Sequence, residues 1–480
     1  MPWVGLVALA ALVADAPRAR LGALFGFCFG AGANLVALRF VPEVIARFTP
    51  LPWMAGLLAL VLLSAAQGLS WALAGAGATV LRQRGLPRFV AFGLAVYFSL
   101  FLPGIFPWTP AGGVTPWPAL VQSADTIGER GVSLLIALTS GLLVDGALAW
   151  RRQGRRAAMA PWLVGLAIPL ASGLWGAQRM RRIDAERSLA RKAKIALLQP
   201  SIAAAVRWEP SRAPEIHATL TRLTRSAEAR GAELTVWPES AFPYALLHTS
   251  RRSPVGERAL LGFGVRGPVL AGVYMTKDPS SATNSALVAG ADGALSAPYD
   301  KRHLLLFGEA VPFAEDIPWL KKTFARGTGL VPGKSNVVLR AGPVRAGVLV
   351  CYEDNLPEAG REAMSTGAPN LLVNLTNDAW FTGSHEGELH LRLAVLRAVE
   401  ARRDLVRSVN LGPTSFVDAA GRVLARYDAP FPQALLVEAA LLETPGTFYV
   451  RFGDAPLAAL AVAAALFHAL RARNEKRRDR

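Results

Sequence analysis

Cysteine and acid are both scarce in this chain. Two cysteines in 480 residues, Cys28 and Cys351, exclude a disulfide framework and the usual zinc-ligand patterns. Acidic residues number 35 against 52 Lys and Arg, which leaves a formal net charge of +17. A basic balance of this size points to nucleic acid or to a membrane. Internal repeats and low-complexity linkers are also lacking. Charge itself is missing from several long stretches, and these decide between the two partners.

What fills those stretches is apolar. Hydrophobic residues make up 52% of the chain and mean hydropathy is +0.31, high for a soluble enzyme. Apolar runs that read as membrane spans lie at 2–14, 21–38, 52–79, 89–103, 131–150, 159–176 and 455–471. Basic residues mark alternate connections: Arg18 and Arg20, then Arg82, Arg84 and Arg88, then Arg151, Arg152, Arg155 and Arg156, and finally the tail from Arg471 to Arg480. The long connection at 103–129 has no Lys or Arg. By the positive-inside rule the basic connections and the tail are cytoplasmic, and the segment between the sixth and seventh runs lies outside the cytoplasm. Nucleic acid is not an expected partner. Six spans before that segment would also put the N-terminus outside, and the first run is barely long enough to cross. The favoured reading is that one helix precedes residue 1. Asp145, in the fifth run, is expected to snorkel or to pair with Arg151 and Arg152. So little charge within the runs argues against a solute transporter.

The resulting division is a helix bundle of about six spans at 1–178, a globular domain at 193–447, a C-terminal span at 455–471 and a basic tail at 472–480. Short aliphatic and β-branched runs predict strands at 195–199, 233–237, 269–275, 285–289, 347–351, 371–375, 406–410, 415–418 and 435–439. Helical patterns cover about 211–230, 356–366 and 386–404. In the last, Leu389, Leu393, Leu396 and Val399 form one stripe, with Arg392, Arg397 and Arg403 elsewhere. Asp292-Gly293 and Ala420-Gly421 suggest hairpins. The fold class is α/β with a mixed sheet. The stretch 307–333 has no clear period. Its Phe313, Trp319, Leu320 and Phe324 either touch lipid or pack as core.

Three windows carry chemistry. Ala346-Gly-Val-Leu-Val-Cys351 is a strand-like run ending at a thiol, followed by Tyr352, Glu353 and Asp354. A thiol at a strand end is a candidate nucleophile, and a buried structural cysteine is the plain alternative. Thr235-Val-Trp-Pro-Glu239-Ser240 puts a carboxylate just past a strand. Tyr299-Asp300-Lys301-Arg302-His303 is followed by Phe307-Gly308-Glu309. A cysteine attacks as thiolate, so it needs a base or a nearby cation. Glu239 suits the first role, and Lys301 suits stabilisation of a thiolate and of an oxyanion. Each window alone is weak; a Glu after a strand and a Lys in a charged turn are usually solvated.

Together, in the order Glu, Lys, Cys, the windows resemble the nitrilase superfamily. Its triad performs acyl transfer on a four-layer α-β-β-α sandwich. The flanking apolar runs narrow the resemblance to the bacterial apolipoprotein N-acyltransferase family. The supporting stretches are Trp237-Pro-Glu-Ser240, Asp300-Lys301, Phe307-Gly-Glu309, Cys351-Tyr-Glu353, Asn377-Asp-Ala-Trp-Phe381, Arg397-Ala-Val-Glu400, Arg407-Ser-Val-Asn410 and Thr447-Phe-Tyr-Val-Arg451. The resemblance implies a nitrilase-like sandwich inserted between a transmembrane bundle and one C-terminal transmembrane helix. It implies Glu239 as general base, Lys301 as oxyanion stabiliser and Cys351 as nucleophile. Glu309, Tyr352 and Glu353 match supporting residues, and Trp208 matches a lipid-contacting tryptophan. The implied reaction takes an acyl chain from a glycerophospholipid as a cysteine thioester and passes it to the amino group of a diacylglyceryl-cysteine on an apolipoprotein. No cofactor or metal is required. The implied setting is the bacterial inner membrane with a periplasmic catalytic domain, and a monomer is expected. The alternatives are a membrane-anchored amidase that uses water as acceptor and a non-enzymatic lipoprotein-binding paralogue. Two departures stand out: the family usually has one more N-terminal span, and Pro413 is unexpected after Asn410.

Overall fold

The computed structural model describes residues 2–314, 316–324 and 329–478. Two compact units divide the chain. One gathers 1–47, 51–181 and 451–480; the other gathers 48–50 and 182–450.

The first unit is helical. Its helices are α1 (Pro2–Ala14), α2 (Ala19–Ala37), α3 (Val41–Phe48), α4 (Trp53–Gln83), α5 (Arg88–Ser99), α6 (Ala124–Gln153) and α7 (Arg155–Leu189). After the second unit the chain returns through the short α12 (Phe448–Phe452) to α13 (Ala455–Arg478). Among the described residues, α2, α4, α6 and α7 are long and apolar enough to cross a membrane. The apolar parts of α1, α5 and α13 are shorter. Helix α5 stops at Ser99 rather than 103 because Leu102 precedes Pro103, which disfavours helical backbone there. Helix α7 instead runs on to Leu189, past its apolar stretch, through the helix-forming Ala, Gln, Arg and Glu of 177–189.

Packing in this unit relies on small residues. A Cβ on Gly26 would sit 1.9 Å from the Trp71 carbonyl oxygen, and one on Gly75 would sit 2.0 Å from that of Gly22. Helices α2 and α4 therefore meet backbone to backbone, the contact glycines allow in a lipid environment. Asp145 does not pair with Arg151 or Arg152. Its Oδ2 accepts the Phe89 amide at 3.3 Å, one of the unsatisfied N–H groups at the start of α5, while Arg152 pairs with Asp15 at 2.5 Å.

The second unit is a sandwich. One sheet holds β1 (Lys192–Gln199), β2 (Leu234–Val236), β3 (Leu246–Leu247), β4 (Val269–Asp278), β5 (Ser281–Ala289), β6 (Tyr299–Asp300) and β13 (Gln433–Ala440), in the order β13-β1-β2-β4-β5-β6 with β3 beside β4. The other holds β7 (Val338–Ala341), β8 (Val344–Val350), β9 (Leu371–Thr376), β10 (Leu405–Val409), β11 (Thr414–Val417) and β12 (Val423–Tyr427), in the order β12-β11-β10-β9-β8-β7. Strand β1 shows why two sheets stack. Its Ile195 and Leu197 join Val348, Val350, Val373 and Val406 of the second sheet in one core, while Ala196 and Leu198 join α8 (Ala213–Ala229) on the other face. The second sheet's outer face packs on α10 (Pro357–Ala363) and α11 (Glu386–Ala401). The layers are thus α8, sheet, sheet, α10 with α11, the four-layer α-β-β-α arrangement expected from the sequence.

All nine expected strands form. Those not anticipated, β3, β6, β7 and β12, are short, and β12 alternates exposed and half-buried residues along much of its length. Ala420-Gly421 turns the β11–β12 hairpin, whereas Asp292-Gly293 sits in a turn whose flanks meet at an isolated antiparallel bridge, Ala289 to Leu295, with the Ser296 amide donating to the Val288 carbonyl at 2.9 Å. Helix α11 is not a one-stripe helix: Arg397 is fully buried and pairs with Glu400 at 3.0 Å. It ends at 401 because Arg402 turns left-handed, with φ 50°. Within 307–333, a short helix α9 (Pro318–Thr323) forms, and residues 315 and 325–328 lie outside the described residues. Phe307, Phe313 and Trp319 are exposed there, so the core-packing alternative does not hold for them.

Candidate active site

The three windows meet where strands of both sheets end. Glu239 follows β2. The preceding Trp237 is fully buried and its Nε1 donates to Thr224 of α8 at 3.0 Å, which pins the strand exit. Gly272 of β4 lets this exit lie close: a Cβ there would stand 2.2 Å from the Pro238 carbonyl oxygen. Lys301 follows β6, with its amide donating to the Asn284 carbonyl at 2.8 Å. Cys351 follows β8 and opens a short 3-10 turn, Cys351–Asn355, with φ 50°. An L-residue in that region carries a cost of roughly 1–3 kcal/mol that its surroundings must offset.

Lys301 is the centre of the charge. Its side chain is 1% exposed, and its ammonium lies 2.6 Å from Glu309 Oε2 and 3.4 Å from Glu239 Oε1. Asn284 ties the two carboxylates together, donating from Nδ2 to Glu239 at 2.7 Å and to Glu309 at 2.9 Å. Burial alone would push Lys301 down. The carboxylates of Glu309 and Glu239 outweigh it and hold the ammonium well above the ordinary lysine range. Burial raises Glu239, with Lys301 opposing and Glu309 adding to the rise. The Cys351 thiol is pushed well above its usual value by burial and by Glu239, more than Lys301 can reverse. A neutral thiol beside a carboxylate of raised basicity suits proton transfer at the moment of attack.

Glu353 is fully buried and staples two windows. Its Oε1 accepts the amides of Arg302 at 2.7 Å and His303 at 3.1 Å, just past Lys301. Its Oε2 accepts the Val350 amide at 2.8 Å, just before Cys351, and the Tyr299 hydroxyl at 2.9 Å. Tyr352 follows Cys351 directly, its phenol pushed up to about 12 by burial. Trp208 is 42% exposed on a short 3-10 turn, its ring 5.3 Å from that of Tyr274. Tyr274 in turn stands opposite Asn284 in the β4–β5 ladder. The neighbouring Arg207 donates to the carbonyls of Ser240 at 2.6 Å and Phe242 at 2.9 Å. Trp208 is thus wired to the residue after Glu239.

Asn284, Tyr274 and Arg207 belong to this site without standing out as candidates in the sequence. Asn284 has a signal there, since Thr283-Asn284-Ser285 is a polar triplet inside an otherwise apolar strand run. Arg207 and Tyr274 have none. Among the described residues, Asp378, Glu386 and His390 form a group whose donor atoms lie within 4.8 Å of one another, a spacing able to hold a cation.

Comparison with known proteins identifies the family. Residues 194–439 match the carbon-nitrogen hydrolase family, and residues 1–142 match the apolipoprotein N-acyltransferase N-terminal domain. The chain is 32% identical to an apolipoprotein N-acyltransferase of Geobacter metallireducens, over 92% of this chain and 86% of that one. It is 30% identical to an apolipoprotein N-acyltransferase of Bradyrhizobium diazoefficiens, over 95% and 86%. Among solved structures, an amidase from Nesterenkonia sp. aligns with 20% identity and a TM-score of 0.39, over 55% of this chain and 94% of that one. With both family matches in place and the relatives covered over most of their length, the chain belongs to the apolipoprotein N-acyltransferase family.

Proposed function

We propose that Cys351 carries a fatty acyl chain as a thioester between a glycerophospholipid and the N-terminal amino group of a diacylglyceryl-cysteine on an apolipoprotein. The observation that carries this reading is the Lys301 ammonium held between Glu239 and Glu309 beside the Cys351 thiol, in a chain with four helices among the described residues that are able to cross a bilayer. Glu239 takes the Sγ proton as sulfur attacks the ester carbonyl. Lys301 faces the charge that develops on the carbonyl oxygen. Collapse expels the lysophospholipid alkoxide, which regains the proton from Glu239. The acceptor amine then attacks the thioester carbonyl, gives a proton to Glu239 and displaces the thiolate, which is reprotonated. Glu309 holds Lys301, Glu353 fixes the spacing between the Lys301 and Cys351 turns, Tyr352 flanks the nucleophile, and Trp208 meets lipid. Donor and acceptor both reside in the membrane. The chain is a monomer of the inner membrane, with the 193–447 domain on the periplasmic side and the tail in the cytoplasm, an orientation drawn from the Arg-rich connections.

The test is a mass measurement. Incubation of the purified protein with phospholipid should add one acyl mass at Cys351, released by hydroxylamine and lost in Cys351→Ala. An unmodified wild-type protein would sink the reading. With a diacylated lipopeptide supplied, the amide-linked triacyl product should appear; free fatty acid alone would favour the hydrolase.

A further inference from the structure

The left-handed turn at Cys351 needs something to hold it, and the Glu–Lys–Glu cluster does not touch its carbonyl. That oxygen accepts from Asn374 Nδ2 at 3.2 Å and faces His390 Nε2 at 3.3 Å. The same Nε2 lies 2.6 Å from Asp354 Oδ1, three residues further along the same turn. We propose that His390 is a positioning residue for the nucleophile: a charged imidazolium that binds the Cys351 carbonyl and the Asp354 carboxylate together and so fixes the turn that aims the thiol. The inference rests on the reading of Cys351 as nucleophile.

The charge follows from the ring's neighbours. Nδ1 faces Asp378 Oδ1 at 3.2 Å, with Glu386 Oε1 further off at 4.0 Å. The groups within hydrogen-bond reach, on both nitrogens, are acceptors, so a neutral ring would leave one nitrogen lone pair against oxygen. The ring is 2% exposed, so water does not relieve that contact. The groups facing it are Asp354 on the nucleophile turn, Asp378 on the turn after β9, Glu386 one turn back on α11, and Arg407 on β10, which holds Asp354 Oδ2 at 2.9 Å. Asp354 and Asp378 thus face the ring and the Arg407 guanidinium within one buried set. A bound cation is the competing use of these groups, and it requires Nδ1 without its proton.

The experiment follows acyl-enzyme formation by mass in a single turnover, on the full chain in detergent with phospholipid, at several donor concentrations. His390→Leu should acylate about 10²-fold more slowly, with the donor KM unchanged, as expected for a misplaced reacting group. His390→Gln keeps one N–H donor and should recover about tenfold of that loss. A merely structural histidine would change stability without this split between rate and donor KM. His390→Leu acylating at the wild-type rate, His390→Gln acylating no faster than His390→Leu, or about one equivalent of divalent metal in the purified wild type would each overturn the proposal. If the leucine variant does not fold, the glutamine variant decides: it should acylate about tenfold more slowly than wild type at unchanged donor KM, and the wild-type rate would overturn the proposal. Persistent acylation of Cys351→Ala would instead overturn the nucleophile reading itself.

Discussion

Removing the charge of Glu309 tests whether Lys301 is truly clamped. At 2.6 Å the bare attraction between Glu309 and Lys301 is about 6 kcal/mol for an effective dielectric near 20. Desolvation of both ions cancels much of it. Glutamine also keeps an acceptor, so the net loss in Glu309→Gln is nearer the roughly 1.5–3 kcal/mol of a charge-assisted hydrogen bond, about 10- to 10²-fold in rate. The pH profile gives a second readout with a definite sign. In the proposed reaction Glu239 must be ionised to accept the thiol proton, so acylation should be lost as pH falls through its pKa. That value is held up by burial, with Lys301 opposing and Glu309 adding to the rise. Deleting the Glu309 charge lowers it, so the acidic limb should move to lower pH even as the maximum rate falls. Single-turnover acylation across pH, followed by intact mass, measures both. An acidic limb that moves upward, or an unchanged rate with an unchanged limb, would refute the clamp.

Two further outcomes follow. Gly26→Leu places a side chain into the Trp71 carbonyl and should destabilise the helical unit by about 3 kcal/mol or more, whereas Gly32→Leu, with nothing within 4 Å of its Cβ, should be silent; thermal inactivation in detergent separates them. Trp208→Ala should leave thermal stability within about 1 kcal/mol, because the ring is substantially exposed, but should raise the donor KM; Trp208→Phe should restore most of it.

The sandwich is legible in the sequence because its strands are buried on both faces and therefore appear as uninterrupted aliphatic runs. Glu239, Lys301 and Cys351 are legible because each lies just past such a run or in a charged turn between runs. Helix α11 misleads for the opposite reason. Its Arg397 reads as a solvent-facing charge, and only the surrounding fold supplies Glu400 and a buried place for it. Asn284 and His390 draw their roles from partners far away in sequence: His390 reaches Asp354 across a separation of 36 residues. The charge state of Cys351 is unreadable for the same reason. A nearby lysine suggests a thiolate, but burial and the carboxylates of Glu239, Asp378 and Glu309 push the thiol the other way once all are placed together.

The placement of one ammonium between two carboxylates has a consequence for the whole of the proposed catalytic cycle. At rest, Glu239, Glu309 and Lys301 with a neutral thiol sum to one negative charge. When the proton passes to Glu239 and the electron pair reaches the carbonyl oxygen, the sum is still one negative charge. It remains so in the thioester once the departing hydroxyl has carried the proton away. Around the buried Lys301 and Glu239 side chains little water is at hand to absorb a change of charge. Here none arises: the negative charge only moves from the carboxylate on one side of Lys301 to the substrate oxygen and back, with the same ammonium as its neighbour throughout.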